Sequence, residues 1–127
     1  MYRIAVLTQS DAQVTFFTGQ IARFCAERGL FPAIEAFREQ ERFFEAAQKA
    51  PPAGAVIALP GVDGLNAAEH LRTLLPETRI IWCSDLDFSL HAFRLRVDYF
   101  LLVPVTEEAF RQGLTVWFEE KTPRARL

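Results

Sequence analysis

The chain has 127 residues, of which half are hydrophobic and 24% are charged, and this composition excludes a disordered segment and fits one globular domain. The formal net charge of −2 gives no electrostatic reason to expect nucleic acid or an anionic membrane surface as a partner. No apolar run approaches the roughly 20 residues that span a membrane. We therefore expect a cytoplasmic protein in which the two cysteines, Cys25 and Cys83, are reduced and buried.

Apolar runs and helical patterns alternate along the whole chain. Residues 3–7 form the first predicted strand, and Ser10 or Asp11 caps a helix over residues 11–28 that ends at Gly29. The elements that follow, in chain order, are a strand over 30–37 that Pro32 places at a sheet edge, a helix over 38–50, a strand over 54–59, a helix over 65–75, a strand over 79–83, a helix over 85–96, a strand over 98–103 and a helix that begins after Thr106. Five strand–helix units predict an α/β fold with a mostly parallel sheet between two layers of helices. In such a fold the functional loops follow the carboxyl ends of the strands.

Three short stretches resemble a known family. They are "LPGVDGL" after the third strand, "LHAF" in the fourth helix and "DYFLLVPV" at the fifth strand. Together they resemble the receiver domain of two-component response regulators, and the LytTR-type subfamily is the most similar in its turn, its "AF" pair and its strand end. The resemblance implies a doubly wound (βα)5 fold with a five-stranded parallel sheet of order 2-1-3-4-5, a flavodoxin-like or receiver-like three-layer sandwich. It runs from Tyr2 to about Lys121, so a receiver-like domain is expected over residues 1–121 and a tail, or the start of a linker, over 122–127.

An active receiver accepts a phosphoryl group from a histidine kinase on an aspartate at the end of its third strand. Two carboxylates after the first strand hold Mg²⁺, which prefers oxygen ligands. A lysine after the fifth strand pairs with the phosphoryl oxygens, and a serine or threonine after the fourth strand hydrogen-bonds the modified side chain.

Uncharged residues stand at most of the matching positions in this chain. Thr8 and Gln9 replace the acidic pair, and Val103 replaces the lysine. The phosphoacceptor position falls at Val56 when the chain is aligned on the proline-glycine turn, or at Ala58 if the loop is two residues shorter. The resemblance therefore implies a degenerate receiver, or pseudo-receiver, that cannot be phosphorylated by the usual route.

The remaining candidate groups do not restore this chemistry. The hydroxyl position survives as Ser84, which is either a retained switch hydroxyl or the N-cap of the fourth helix. Four other carboxylates follow strands at the same edge, but each fits a cap, a first helical turn or a loop turn better than a metal site: Asp11, Asp63, Asp85 and Asp87. We expect no catalytic residue, no metal ion, no other cofactor and no enzymatic activity.

The aromatic content indicates a second property. Twelve phenylalanines and two tryptophans exceed what a small core easily holds, so some rings are expected at the surface. Receivers commonly associate through the fourth helix, the fifth strand and the fifth helix. The candidate interface residues in these elements are Phe88, Phe93, Phe100, Trp117 and Phe118. This predicts a homodimer or a protein partner at that face, unless the rings all pack between the helices and the sheet.

Two functions remain open from the sequence. The first is a non-catalytic, phosphorylation-independent signalling domain that is the N-terminal part of a bacterial transcriptional regulator, or an adaptor for one, and that does not itself bind DNA. The alternative is a small flavodoxin-like domain or enzyme that binds a ligand or nucleotide. "TQSDAQ" after the first strand is its only candidate phosphate loop, and it lacks the glycines of such loops.

Overall fold

The computed structural model describes residues 2–119. Its elements, in chain order, are β1 (Arg3–Thr8), α1 (Asp11–Ala26), β2 (Ala33–Phe37), α2 (Gln40–Lys49), β3 (Gly54–Ala58), α3 (Gly61–Leu74), β4 (Arg79–Ser84), α4 (Ser89–Arg94), β5 (Tyr99–Leu102) and α5 (Glu107–Glu119). The five strands form one parallel sheet of order β2-β1-β3-β4-β5. The predicted fold class and strand order are confirmed, and so is the edge position of β2. The predicted tail over 122–127 and the predicted domain end at residue 121 lie outside the described residues.

The core consists of two apolar layers, one on each face of the sheet. Val56 and Ala58 of β3 pack with α1 and α5, whereas Ala55 and Ile57 pack with α2, α3 and α4. This division follows from the alternation of side chains along a strand. Every residue of β3 is buried, which is why its sequence is a continuous apolar run rather than an alternating one.

Polar side chains and a glycine set several helix ends as predicted. The Ser10 hydroxyl accepts a hydrogen bond from the Gln13 N–H at the start of α1, and Thr106 does the same for Ala109 at the start of α5. Gly29 follows α1 with a φ of 71°, a left-handed conformation that costs glycine little.

Two helices begin four residues away from their predicted start. The helix α3 begins at Gly61 rather than at residue 65, so Asp63 lies in its first turn and not in a loop. The helix α4 covers only Ser89–Arg94, so Asp85 and Asp87 lie in the loop before it rather than in its first turn. The Asp87 carboxylate accepts hydrogen bonds from the Ser89 N–H and hydroxyl. These bonds lower the pKa of Asp87 and hold the backbone in a turn instead of a helix.

The second strand is shorter than predicted. It begins at Ala33 rather than at residue 30, because the Leu30 N–H donates to the Cys25 carbonyl at the end of α1 and Pro32 has no N–H. None of the helices in residues 2–119 has the length and apolar character to cross a membrane.

Candidate functional site

The candidate site is the edge of the sheet at which the strands end. Thr8, Ala58 and Ser84 are the last residues of β1, β3 and β4. Thr8 lies beside Ala58 in the sheet, and Ala58 lies beside Cys83. The fold therefore brings together the strand ends that carry phosphorylation groups in an active receiver.

Val56 does not lie at this edge. It pairs with Val6 and Ile81 in the middle of the sheet and is completely buried. Because β3 ends two residues later, the side chain at the strand end is that of Ala58, which packs on the same face of the sheet as Val56. Ala58 is also the position that the shorter loop gives, and neither side chain has an atom that could accept a phosphoryl group.

The end of β1 is closed by an uncharged hydrogen-bond cluster. The buried Thr8 hydroxyl donates to the side-chain oxygen of Gln13, and the Gln9 N–H lies 3.5 Å from the same oxygen. The nearest carboxylate in the sequence, Asp11, forms an ion pair with Arg38. Among residues 2–119, histidine, cysteine, aspartate and glutamate side chains nowhere gather in threes as a metal ion requires.

Hydrogen bonds connect the loops that follow β3, β4 and β5. The Ser84 hydroxyl accepts from the Leu86 N–H at 3.1 Å and lies 3.4 Å from the Asp85 carboxylate. The same Asp85 oxygen accepts from the Gly61 N–H at 2.8 Å, and the Ser84 carbonyl accepts from the Val103 N–H at 2.9 Å. The hydroxyl that the sequence singles out is thus engaged within its own loop, and Val103 contributes no cation to the site.

The interpretation of Ser84 as a helix N-cap is wrong. The helix α4 begins at Ser89, five residues farther along, and its N-cap residue Phe88 makes no side-chain capping bond. Ser84 instead forms a local turn through the Leu86 N–H.

Both cysteines are buried and free, as predicted. Burial raises the pKa of the Cys83 thiol to about 12. Burial also raises the pKa of Cys25, and the Arg28 guanidinium acts in the opposite direction. Since the thiolate is the reactive form, we expect the native protein to resist alkylation by iodoacetamide at pH 8, whereas protein unfolded in urea is alkylated at both thiols. Mass spectrometry measures this, and a native adduct on Cys83 at pH 8 would contradict it.

The raised pKa of Cys83 also predicts a loss of stability at alkaline pH. The unfolded thiol ionises near its ordinary pKa of 9.0, whereas the folded thiol keeps its proton up to about pH 12. The contribution of the protonated Cys83 thiol to the free energy of unfolding is therefore complete below about pH 9, and it is lost as the pH rises towards 12.

The candidate interface aromatics differ widely in exposure. Phe93 is 71% exposed, whereas Trp117 is only 3% exposed and packs in the core against Gly54. Trp117 is therefore removed from the predicted interface, since a buried ring presents no surface. Phe88 and Phe100 are half-buried against Trp82, with ring centroids 5.5 Å and 5.1 Å from it.

Phe118 is likewise half-buried. The centroid of its ring lies 5.2 Å from that of Tyr2, which precedes β1, and 5.7 Å from that of Phe24 in α1, so the ring packs between these two residues and presents only part of its surface to solvent. Of the five aromatics predicted for the interface, Phe93 alone is largely exposed.

The structure also shows exposed aliphatic residues near Phe93, which the prediction from aromatic residues alone did not include. Leu90 and Phe93 lie three positions apart in α4, Leu86 lies in the loop before that helix, and all three are exposed. Leu102 and Val103 are exposed at the end of β5, against which α4 packs. These five residues form what we call the α4–β5 surface. The spacing of Leu90 and Phe93 in the sequence was a signal for part of this surface, but such a spacing does not distinguish a buried helix face from an exposed one.

Comparison with known proteins gives no match by sequence but many by structure. No family model matches the chain, and no curated protein matches it. A response regulator receiver domain protein from Clostridium thermocellum superposes with a TM-score of 0.74 at 10% identity, over 94% of this chain and 95% of that one. HP1043, an orphan response regulator of H. pylori, gives a TM-score of 0.67 at 13% identity, over 91% and 95%.

A full regulator also matches. DrrB of Thermotoga maritima, an OmpR/PhoB homolog, gives a TM-score of 0.68 at 16% identity. The match covers 94% of this chain and 54% of DrrB, so the chain spans about half the length of that regulator. The fold is that of a response-regulator receiver domain. At these identities the likeness establishes the receiver fold alone.

Proposed function

We propose that this chain is a pseudo-receiver: a non-catalytic, phosphorylation-independent signalling domain of the cytoplasm that acts by protein association. It would belong to a bacterial transcriptional regulator or serve as an adaptor for one, without binding nucleic acid itself. The observation that carries the proposal is the strand-end edge, where β3 ends in the apolar Ala58 and hydrogen bonds within and between neighbouring loops occupy the polar groups.

The chemistry of phosphoryl transfer supports this reading. The reaction needs an attacking carboxylate, oxygen ligands for Mg²⁺ and a cation for the transferred group. Thr8, Gln9, Ala58 and Val103 supply a hydroxyl, an amide and two apolar side chains instead. Because charged groups are absent from all four positions together, none of these four positions leaves a buried charge without a partner.

The α4–β5 surface supports the association part of the proposal. It combines an exposed phenyl ring and four exposed aliphatic side chains on two elements that pack against each other and on the loops next to them, and exposed apolar patches commonly mark interaction sites. The stretches "LHAF" and "DYFLLVPV" form α4 and β5, so the LytTR-type resemblance falls on the elements that carry this surface. We propose that it mediates a homodimer, or a contact with a protein partner, through α4, β5 and α5.

The first test is the solution mass by light scattering over a range of concentrations. We expect a dimer whose mass does not change when Mg²⁺ and beryllofluoride, a mimic of the phosphoryl group, are added together. A mass that shifts with the mimic would show that a working acceptor exists and would contradict phosphorylation independence.

The second test assigns the surface. Phe93→Glu is expected to raise the dissociation constant at least about tenfold, because it places a charge in an apolar contact. Phe31→Glu is the matched control, since Phe31 is 79% exposed but lies before β2, at the opposite side of the sheet from β5. Dissociation by Phe31→Glu and not by Phe93→Glu would place the interface elsewhere.

A further inference from the structure

One carboxylate links the loop before α4 to the start of α3. The Asp85 Oδ1 atom accepts from the Gly61 N–H at 2.8 Å, although the two residues are 24 positions apart in the chain. Gly61 has a φ of 56°, which glycine adopts without strain. We call this hydrogen bond the Asp85 latch.

The start of α3 offers a favourable place for the carboxylate. The N-cap residue of α3 is Pro60, whose side chain cannot accept a hydrogen bond from the first turn. A negative charge near the amino terminus of a 14-residue helix is stabilised by the helix dipole. The Asp85 carboxylate thus supplies from a neighbouring loop the acceptor that the helix lacks in its own sequence.

The latch continues into the α4–β5 surface. The residue after Asp85 is Leu86, whose N–H donates to the Ser84 hydroxyl. Ser84 is in turn held to the end of β5 by the bond from the Val103 N–H to its carbonyl. Leu86 and Val103, two members of the exposed surface, are therefore fixed by the same set of bonds that contains the latch.

We propose that the Asp85 latch holds the loop over residues 85–88 against α3 and thereby fixes Leu86 in its exposed position on the α4–β5 surface. This gives the pseudo-receiver an internal carboxylate that sets the arrangement of its association surface without any modification. The link to association rests on the proposed function, whereas the link between Asp85 and Leu86 does not.

The test compares two substitutions at one position by NMR of the whole chain. Asp85→Ala removes the acceptor, and Asp85→Asn keeps a side-chain oxygen that can accept from Gly61 while removing the charge. For Asp85→Ala we expect amide hydrogen exchange at Gly61 to quicken about tenfold, as for the loss of one charge-assisted hydrogen bond, and the Leu86 methyl signals to shift and broaden. Asp85→Asn is expected to lie between Asp85→Ala and the native chain in both measurements.

Asp87→Ala is the matched control from the same loop. It removes the bonds to Ser89, which do not reach α3, so exchange at Gly61 should stay as in the native chain. Unchanged exchange at Gly61 in Asp85→Ala would overturn the proposal, and so would faster exchange without any change at Leu86.

Light scattering of the same variants separates this inference from the proposed function. A weaker dimer in Asp85→Ala, together with the NMR changes, supports both. If the native chain stays monomeric at every concentration while Asp85→Ala still alters Gly61 and Leu86, association fails and the latch stands.

Discussion

Replacing Arg72 with lysine is expected to lower the free energy of unfolding by roughly 3–5 kcal/mol, the largest effect that we anticipate for a conservative change. Arg72 lies in the last turn of α3 and is only 7% exposed. Its guanidinium donates to five backbone carbonyls, those of Leu75, Pro76, Thr78, Leu95 and Arg96. It thereby joins the end of α3 to the end of α4, where a positive charge also interacts favourably with both helix dipoles.

Lysine cannot reproduce this arrangement. Its ammonium is a compact group with three donors on a flexible chain, whereas the guanidinium presents five donors in a rigid plane. Several carbonyls that are buried or partly buried would lose this donor, and each such loss costs about 1–3 kcal/mol.

Chemical denaturation followed by circular dichroism measures the effect. Arg42→Lys in α2 is the matched control, because Arg42 is exposed and its ion pair with Glu39 at 3.1 Å contributes less than about 1 kcal/mol. An Arg72→Lys variant as stable as Arg42→Lys would show that the five bonds contribute nothing net.

Gly64→Ala is expected to destabilise the protein by about 2–3 kcal/mol, although alanine favours helices over glycine by about 1 kcal/mol. Gly64 is buried in the first part of α3, and a Cβ there would lie 2.3 Å from the Leu59 carbonyl oxygen and 3.3 Å from the Trp82 indole nitrogen. The closer of these atoms belongs to the backbone, so the helix would have to move away from the end of β3.

A second glycine in a helix provides the control with the opposite sign. Gly19 lies in α1, is exposed, and a Cβ there would meet no atom within 4 Å. Gly19→Ala should therefore raise the free energy of unfolding by about 0.5–1 kcal/mol. If both variants shift stability in the same direction, close packing at Gly64 is not what requires the glycine.

The two glycines of one motif, Gly61 and Gly64, show how far a motif can be interpreted from sequence. "LPGVDGL" predicted a turn after the third strand, and the structure shows that the helix has already begun at Gly61. The second glycine is needed for the approach of α3 to the strand end rather than for a turn. A glycine in sequence signals a special backbone or a close contact, and only the fold distinguishes the two.

Some features of the candidate site could likewise be inferred from sequence, and others required the fold. That Thr8, Gln9 and Val103 stand where an active receiver has charged groups could be inferred from sequence, because a resemblance compares residue types at matched positions. Which of Val56 and Ala58 lies at the strand end could not be decided from sequence, since it depends on where β3 stops relative to its neighbours. The bonds of Ser84 and Asp85 were also missed, because they join loops that are distant in the chain.

By itself, the sequence determined the number, type and order of the strands and helices, and through them the parallel sheet. Apolar spacing, helix caps such as Ser10, and breakers such as Pro32 act over a few residues, so they can be interpreted locally. Tertiary structure alone decided that Arg72 is buried among carbonyls, that Trp117 belongs to the core while Phe93 faces outward, and that Asp85 reaches Gly61. Each of these depends on packing or hydrogen bonding between elements separated along the chain, and a local pattern carries no information about such partners.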